Sequence, residues 1–332
     1  MSIQQAKRRE VLGKRIAEIS RRGFIQQYVC RLWPESSSAS PDPDNFQAVV
    51  IQNDGTGPAT VEFMMAGSTR LFAKLYADES GVHAYEVLRN LWHGGFDPRQ
   101  CYQVPEPLCF VDEYQLLLMR EARGETLASY LSQDGKALSG VKEAARWILQ
   151  LHSSPVRVGK VDQPWYMFLK LSDRLTKAMA VHPQELKRLT AMLVQLGEFA
   201  ERREEGEVVQ GHGQFRPIHV FLSGETVTVI DVDRSAPSDP AKDLAEFVHR
   251  LRSTVLRGSG SLTHANLLTS AFLQEYTAER PLQLGTLPFY WGFHVLVSMC
   301  RHMKQLTVDD PAWGPTIDFY AGEFEAAMSG KL

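Results

Sequence analysis

Two polar groups in the second half of the chain have residue types and spacing suited to catalysis. The first is the run from His212 to His219, which reads HGQFRPIH. The second is the pair Asp231 and Asp233, which follows the apolar segment 226–230. Loop residues at the end of a strand are often catalytic, because the rigid strand holds them in place. Asp231 is therefore the strongest single candidate, and the alternative is an ordinary turn or helix-cap aspartate.

A predicted β-hairpin brings these two groups together. The apolar segments 220–222 and 226–230 flank Ser223-Gly224, which is typical of a tight turn. Counting outward from that turn places Arg216 near Asp231. The polar loop before the hairpin is then expected to lie beside the carboxylates at its end.

The first part of the chain predicts a small antiparallel sheet. Short apolar segments alternate with turn-forming residues, and the connections are short enough for a meander. The pattern then changes to helical spacing over residues 79–92. The predicted strands are 47–52, 60–65, 70–76, 108–111 and 115–119, with turns at 53–58 and 66–68.

From Glu125 onward the chain is predicted to be mostly helical. A small β-rich part followed by a larger helical part is typical of an α+β protein with two lobes. The predicted helices are 138–152, 183–204, 264–279, 287–303 and 316–328. The predicted domains are a basic helix and linker over 1–45, a β-rich N-lobe over 46–121 and a helical C-lobe over 122–332.

The N-terminal segment is basic and has the spacing of an amphipathic helix. Leu12, Ile16 and Ile19 form an apolar stripe among the basic residues of this segment. The favoured interpretation is a helix docked on the body of the protein by that stripe, and the alternative is a surface-binding arm. Residues 34–44, rich in Ser, Pro and Asp, predict a linker.

The composition excludes several functional classes. The 332 residues include 36 Lys and Arg against 39 Asp and Glu, so the formal net charge is −3 and no nucleic-acid partner is expected. The longest apolar stretch, 290–300, is shorter than the ~20 residues of a membrane span, so no membrane partner is expected. Four cysteines without a CxxC pair, and no apolar signal core, favour the cytoplasm.

With these motifs in order, the chain resembles the aminoglycoside phosphotransferase and choline kinase-like family, which has the protein kinase-like fold. The family pattern is H-G-D-x-x-x-x-N, a strand ending in D-x-D, and then G-D-P-x-x-D-L-A. Segments 212–219, 231–233 and 238–245 follow it at matching spacing. The resemblance covers most of residues 46–300. The catalytic loop of this chain departs from the family pattern. Upstream the resemblance rests on Lys74, on the hinge segments 104–108 and 116–124, and on the Leu-His pair at 151–152.

The resemblance implies a nucleotide site for ATP. Lys74 would neutralise charge on the α- and β-phosphates, and Glu86, or as a weaker candidate Glu79, would hold Lys74 in place. The backbone near Glu121 and Ala122 would face the adenine ring. The alternatives are an ordinary strand lysine at Lys74 and a solvated helix residue at Glu86.

The resemblance also implies a catalytic and metal-binding region. The predicted catalytic residues are His212, Gln214 and Asp231. Asp231 would bind Mg²⁺, a hard cation that prefers carboxylate oxygen. Asp233 and His219 complete the predicted set of metal ligands.

Two positions depart from the family pattern. Gln214 replaces the catalytic aspartate; its amide forms hydrogen bonds but takes no proton at neutral pH, and loss of a general base typically costs about 10²–10⁴-fold in rate. His219 replaces the metal-binding asparagine. It is a metal ligand better suited to Mn²⁺ or Zn²⁺ than to Mg²⁺, a substitute base, or a half-buried histidine bonded to the loop. Arg216 is either a binder of an anionic substrate or γ-phosphate, or a surface arginine.

Two functional hypotheses follow. The first is an ATP- and Mg²⁺-dependent phosphotransferase with weakened base chemistry, acting on an unidentified small-molecule hydroxyl. The second is a pseudokinase that binds nucleotide or a partner without turnover. The first is favoured, because positioning and the metal supply most of the catalysis in phosphoryl transfer.

Overall fold

The structure, a computed structural model, describes residues 3–33, 41–65, 70–202, 206–281 and 286–330. Most of the predicted linker 34–44 and the predicted turn 66–68 lie outside these residues. The chain divides into two units. The first unit comprises Met1–Gly124 and Phe221–Ser235, and the second comprises Glu125–Val220 and Ala236–Leu332.

Helices and short strands follow one another along both units. The helices are α1 (Ile3–Ile19), α2 (Arg22–Phe24), α3 (Cys30–Leu32), α4 (Ser80–His93), α5 (Leu127–Tyr130), α6 (Asp134–Ser153), α7 (Pro164–Val181), α8 (Leu186–Arg202), α9 (Ala241–Ser259), α10 (Leu262–Thr277), α11 (Leu287–Met303) and α12 (Trp313–Ser329). The strands are β1 (Gln47–Gln52), β2 (Ala59–Met64), β3 (Leu71–Leu75), β4 (Tyr102–Gln103), β5 (Pro107–Val111), β6 (Leu116–Arg120), β7 (Glu125–Thr126), β8 (Val209–Gly211), β9 (Val220–Ser223), β10 (Thr226–Val229) and β11 (Ala236–Ser238).

The first unit contains a five-stranded antiparallel sheet in the order β1-β2-β3-β6-β5. In β3 the alternate residues Leu71, Ala73 and Leu75 are fully buried. Successive side chains of a strand point to opposite faces, so Lys74 lies on the other face from these three. The register places Lys74 between Thr60 on β2 and Leu117 on β6.

The buried face of this sheet forms one core with the N-terminal helices. Leu12 and Ile19 of α1 are fully buried, and they belong to the same cluster of buried residues as Val61 and Leu71. The apolar stripe of α1 therefore docks this basic helix on the sheet. The buried face is covered, and the opposite face carries Lys74.

The predicted hairpin forms, but its turn is shifted by one residue. Strands β9 and β10 are joined by Gly224-Glu225 rather than by Ser223-Gly224. Gly224 has a φ of 60°, in the left-handed region that glycine adopts at little cost and that two-residue hairpin turns require. The predicted proximity of Arg216 to Asp231 was counted from the wrong turn.

The second unit is dominated by helices, as the sequence predicts. Its core includes a stack of aromatic rings in which Phe215 lies between Trp147 of α6 and Phe247 of α9, at centroid distances of 5.8 and 4.9 Å. Together with the antiparallel sheet of the first unit, this confirms the predicted α+β class. No helix in the described parts of the chain is both long and apolar enough to cross a membrane.

Candidate active site

In the first unit, Lys74 joins two aspartates that are distant in sequence. The Nζ atom of Lys74 lies 2.5 Å from Oδ1 of Asp231 and 2.8 Å from Oδ1 of Asp233. Tyr76, two residues further along the chain and fully within the core, donates its hydroxyl to Oδ2 of Asp233 at 2.9 Å. We call these four residues the Lys74–Asp231 cluster. It is a partly buried group of one cation and two carboxylates.

Lys74 and Tyr76 keep their protons at neutral pH. Burial alone would lower the pKa of Lys74, but the adjacent charges of Asp233 and Asp231 raise the pKa above its ordinary value. Burial, together with the charge of Asp233, raises the pKa of Tyr76 well above its ordinary range. Lys74 therefore remains a cation and Tyr76 remains a hydrogen-bond donor.

The backbone at Asp231 explains how both carboxylates reach Lys74. Asp231 has φ 69° and ψ 44°, a left-handed conformation that is uncommon for a residue other than glycine. It is followed by a single 3₁₀ turn, Val232–Arg234, in which Val232 is buried. The ring of His83 in α4 donates to the carbonyl of Ser235 at 3.0 Å and fixes the end of this turn. Such local strain persists where the surroundings hold it, and it is concentrated at functional sites.

The predicted ion pair between Lys74 and Glu86 is wrong. Glu86 and the weaker candidate Glu79 are both exposed, and Lys74 contacts Asp231 and Asp233 instead. The face of α4 that is buried consists of Gly81, Ala84, Val87, Leu88 and Leu91. This face directs Glu86 to the solvent side of the helix.

The predicted hinge residues Glu121 and Ala122 follow β6 and are half-buried. The N–H of Glu121 donates to the carbonyl of Arg70 at 3.3 Å, which extends the sheet by one residue. Three residues after Glu121, Gly124 has a φ of 95°, and a Cβ there would lie 2.1 Å from the carbonyl oxygen of Leu222. Glycine is therefore required at position 124. Gly124 and Leu222 both belong to the first unit.

In the second unit, the side chain of Asp243 in α9 holds the loop 212–219 by accepting hydrogen bonds from the backbone of the loop. The Oδ2 atom of Asp243 accepts the N–H of His212 at 2.6 Å, and Oδ1 accepts the N–H of Gly213 at 2.8 Å. His152, at the end of α6, contacts Oδ2 at 3.2 Å. A Cβ on Gly211 would lie 3.0 Å from the same carboxylate, so the small residue leaves room for it.

Asp243 is an ionised carboxylate in the interior. Burial alone would raise its pKa, but the hydrogen bond and charge of His152, together with the charge of Lys242, lower the pKa to about 2. A charge with this many partners fixes a loop more strongly than neutral hydrogen bonds would. We call the hydrogen bonds from the loop backbone to Asp243 the frame of the loop. This frame depends on the charge of Asp243 and not on the side chain at position 214.

Two of the predicted site residues in the loop contact each other. The Nδ1 atom of His219 lies 2.9 Å from the carbonyl oxygen of Gln214, and both residues are half-buried. A carbonyl only accepts, so Nδ1 carries the proton and the neutral ring has its lone pair on Nε2. His212 differs, because its ring is fully buried, lies 6.0 Å from that of Trp147, and accepts the N–H of Gln214 at 3.2 Å.

Arg216 is not an isolated surface residue. Its Nε atom lies 2.7 Å from Oε1 of Glu246, a buried residue of α9. Glu246 belongs to the same helix as Asp243, so α9 holds both ends of the segment 212–216.

The carboxylates fit a divalent cation that also has ligands from outside the protein. Asp231 and Asp233 offer hard oxygen atoms of the kind that Mg²⁺ prefers, and Mg²⁺ is usually held by one or two carboxylates plus phosphate oxygens. Within the described residues, no group of three or more His, Cys, Asp or Glu side chains is arranged around one possible metal position. His219 therefore stays a predicted ligand only.

Sequence reasoning missed several functional side chains. Tyr76 was detectable, since a strand residue two positions after Lys74 shares its face. His83 and Glu246 gave no such signal, because their partners are distant in sequence. His152 and Asp243 were within quoted motifs, but their contact with each other was not predicted.

Comparisons with known proteins agree with the resemblance found in the motifs. A model of the phosphotransferase enzyme family (APH) matches residues 53–278. No sequence among curated proteins matches the chain.

Solved structures of similar fold come from the same group of enzymes. An aminoglycoside-3'-phosphotransferase of type VIII has a TM-score of 0.54 at 18% identity, over 75% of this chain and 93% of that one. A choline/ethanolamine kinase family protein from Mesorhizobium loti has a TM-score of 0.56 at 14% identity, over 88% and 92% of the two chains. An amicoumacin kinase in complex with AMP-PNP, Ca²⁺ and Ami has a TM-score of 0.61 at 11% identity, over 95% and 96%.

These likenesses confirm the predicted protein kinase-like fold. The family model covers more than half of the chain, and the matched residues include the motifs from Lys74 to Asp243. The chain belongs to the phosphotransferase enzyme family.

Proposed function

We propose that this protein transfers the γ-phosphoryl group of ATP, bound with a divalent metal ion, to the hydroxyl of a small molecule. The observation that carries the proposal is the Lys74–Asp231 cluster, in which one cation and two carboxylates converge. Phosphoryl transfer depends mainly on positioning and on neutralising phosphate charge, and these residue types supply both. Family membership and the nucleotide analogue named for the amicoumacin kinase structure support ATP as the donor.

Asp231 and Asp233 would hold the metal ion, with Mg²⁺ as the expected species. The bound ion would neutralise charge on the phosphate oxygens. Lys74 is positioned by both aspartates and would present its remaining N–H donor to phosphate. Glu121 and Ala122 are the proposed neighbours of the adenine ring. Without metal the two carboxylates exceed the one lysine by a single negative charge, which favours a cation beside them.

Gln214 and His219 would act on the acceptor. The amide of Gln214 orients the acceptor hydroxyl by hydrogen bonding but takes no proton. The Nδ1 contact with Gln214 leaves the basic lone pair of His219 on Nε2. His219 is therefore our candidate for a substitute base, and we assign the buried His212 a positioning role in the loop.

The pseudokinase hypothesis keeps one specific observation in its favour. Gln214 occupies the position where the family pattern has aspartate, while Asp243 keeps the loop frame in place. A protein that binds nucleotide without turnover needs the Lys74–Asp231 cluster and the frame but no base. The two hypotheses differ only in whether ADP is formed.

The test combines nucleotide binding with turnover in the full-length protein. Saturating ATP and Mg²⁺ should raise the melting temperature, since ligand at about 100 times its Kd stabilises by about 2.7 kcal/mol. Lys74→Met and Asp231→Asn should abolish the shift and all ADP formation. Lys177→Met changes an exposed lysine of α7 and is the matched control. If ATP gives no shift, the proposed function is wrong, and a shift without ADP formation favours the pseudokinase.

A further inference from the structure

A second charged cluster lies in the second unit, beside the loop that carries Gln214. Arg216 of the loop and Arg250 of α9 both approach the same atom, Oε1 of Glu246. The distances are 2.7 Å from Arg216 and 3.8 Å from Nε of Arg250, which is beyond hydrogen-bonding range. Glu246 and Arg250 are four residues apart and therefore share one face of α9. Two guanidinium groups thus face one carboxylate.

The charge of this cluster is positive. Arg301, an exposed residue of α11, adds a third guanidinium whose field reaches Arg250. Burial, followed by repulsion from Arg216, lowers the pKa of Arg250 to about 10, so this side chain is still charged at neutral pH. Burial lowers the pKa of His294, on α11, to about 4, so His294 is neutral. We call Arg216, Arg250 and Arg301 the arginine strip.

Two buried donors or acceptors in the cluster lack a partner among the described residues. These atoms are Nε of Arg250 and Nε2 of His294. The His294 side chain belongs to a residue that is only 7% exposed. Buried polar atoms are almost always satisfied by protein, water or a ligand. An unmet guanidinium N–H in a positively charged cluster calls for an acceptor that carries negative charge.

The strip is accessible and close in sequence to the proposed acceptor position. The side chains of Arg216 and Arg250 are 23% and 21% exposed. Arg216 is two residues from Gln214. Glu246 fixes the side chain of Arg216, and Asp243 fixes the backbone at the start of the same loop. An anion bound by the strip would thus be held beside the loop that orients the acceptor hydroxyl.

From these observations we propose that the arginine strip binds an anionic group of the acceptor, a carboxylate or a phosphate. The acceptor is then a small hydroxyl compound with negative charge, and not a polycation. The inference rests on the proposed function, because it names the substrate class of the same loop. Guanidinium groups suit this role, since their planar N–H groups match the oxygen pairs of carboxylate and phosphate.

The test uses one sugar scaffold with four charges. Glucosamine, glucose, glucuronate and glucose 6-phosphate are titrated by calorimetry into the full-length protein at constant ionic strength, with AMP-PNP and Mg²⁺ filling the nucleotide site. The strip predicts that the two anionic sugars bind and that the neutral and cationic ones bind at least about tenfold more weakly. The stronger of the two anions then identifies the group as carboxylate or phosphate.

Two variants with opposite signs separate charge from folding. Arg250→Met keeps the aliphatic stem and should weaken the anionic sugar about tenfold, whereas Glu246→Gln removes the opposing carboxylate and should strengthen it. Arg188→Met, at an exposed residue of α8, is the matched control and should change nothing. Unfolding would weaken anion binding in both variants. An increase in Glu246→Gln together with a decrease in Arg250→Met therefore cannot result from loss of folding.

The inference is overturned if none of the four sugars binds, if the cationic or neutral sugar binds as well as the anions, or if Arg250→Met leaves anion affinity unchanged. These results are independent of the nucleotide test. If the strip binds an anion but the protein forms no ADP, the proposed phosphotransferase function is wrong and the anion site is supported. If the protein transfers phosphate from ATP to glucosamine, the phosphotransferase function is supported and the proposal of an anionic acceptor is wrong.

Discussion

The Lys74–Asp231 cluster of the first unit and the loop 212–219 of the second are built on different principles. In the cluster the charged side chains hold one another, so Lys74 loses its environment if Asp231 is changed. In the loop, Asp243 holds backbone N–H groups, which every residue except proline possesses. A loop that is held by its backbone tolerates exchange of the side chains that it presents. This difference would allow Gln214 and His219 to take the positions of the family's aspartate and asparagine while Asp243 still holds the loop.

The largest effect is expected at Gln214, the residue proposed to stand in the position of the family's catalytic aspartate. If Gln214 limits proton removal, Gln214→Asp should raise the rate of transfer by up to ~10²–10⁴-fold, because a positioned base contributes about that much. The measurement is ADP formation at saturating ATP and Mg²⁺, with Gln195→Asp at an exposed position of α8 as control. An unchanged rate of zero would favour the pseudokinase, and a lower rate would contradict the role given to position 214.

The frame of the loop should be more sensitive to Asp243 than to either exchanged side chain. Asp243→Asn removes a buried charge with several partners, and we expect a loss of about 3 kcal/mol in the free energy of unfolding. Urea denaturation measures this loss. Asp173→Asn, at an exposed aspartate of α7, should cost well under 1 kcal/mol. Equal losses for the two variants would mean that Asp243 does not hold the loop.

The ionisation of Asp243 gives the same frame a dependence on pH. Its pKa is about 2 in the folded protein against an ordinary value of 3.8, so the unfolded chain binds the proton more readily. The stabilisation is therefore fully present above about pH 4, and about 2 kcal/mol of it is lost as the pH falls towards 2. The difference in unfolding free energy between the unmodified protein and Asp243→Asn should shrink over that interval. A constant difference would show that the carboxylate is not ionised in the fold.

The smallest expected effect lies in the first unit. Tyr76→Phe removes one hydrogen bond to Asp233 and leaves the ring packed, so the free energy of metal binding should weaken by about 1 kcal/mol. Titration of Mg²⁺ into the AMP-PNP complex measures this change. Tyr85→Phe changes a tyrosine that stacks on Phe110 and serves as control. If both variants behave alike, Tyr76 does not position Asp233.

The limits of prediction from the sequence are clear at particular residues. Helix α11 was predicted with the same bounds that the structure has, because its apolar run is long and continuous. Helix α9 was missed, since its buried face includes Lys242, Asp243 and Glu246, and these interrupt the apolar periodicity. Glu86 was chosen through the resemblance, and the choice was wrong because the buried face of α4, which includes Ala84, Val87 and Leu88, turns Glu86 outward.

The sequence named Lys74, Asp231 and Asp233 as candidates, but it did not predict the contacts that join them. Asp231 was identified from its place at the end of a predicted strand and Lys74 from the resemblance, whereas their mutual contact spans 157 positions and leaves no local pattern. The role of Asp243 depends on backbone atoms of His212 and Gly213, and backbone contacts have no signature in residue type. Side-chain chemistry can be read along the chain, while partners distant in sequence require the fold.

The most direct test of the Lys74–Asp231 cluster as a nucleotide–metal site is the affinity of AMP-PNP measured with and without Mg²⁺. We expect Mg²⁺ to strengthen binding by at least about tenfold, since the metal would bridge the phosphates to Asp231 and Asp233. In Asp231→Asn this increment should disappear. An AMP-PNP affinity that is the same with Mg²⁺ and with a chelator would contradict the proposed role of the cluster.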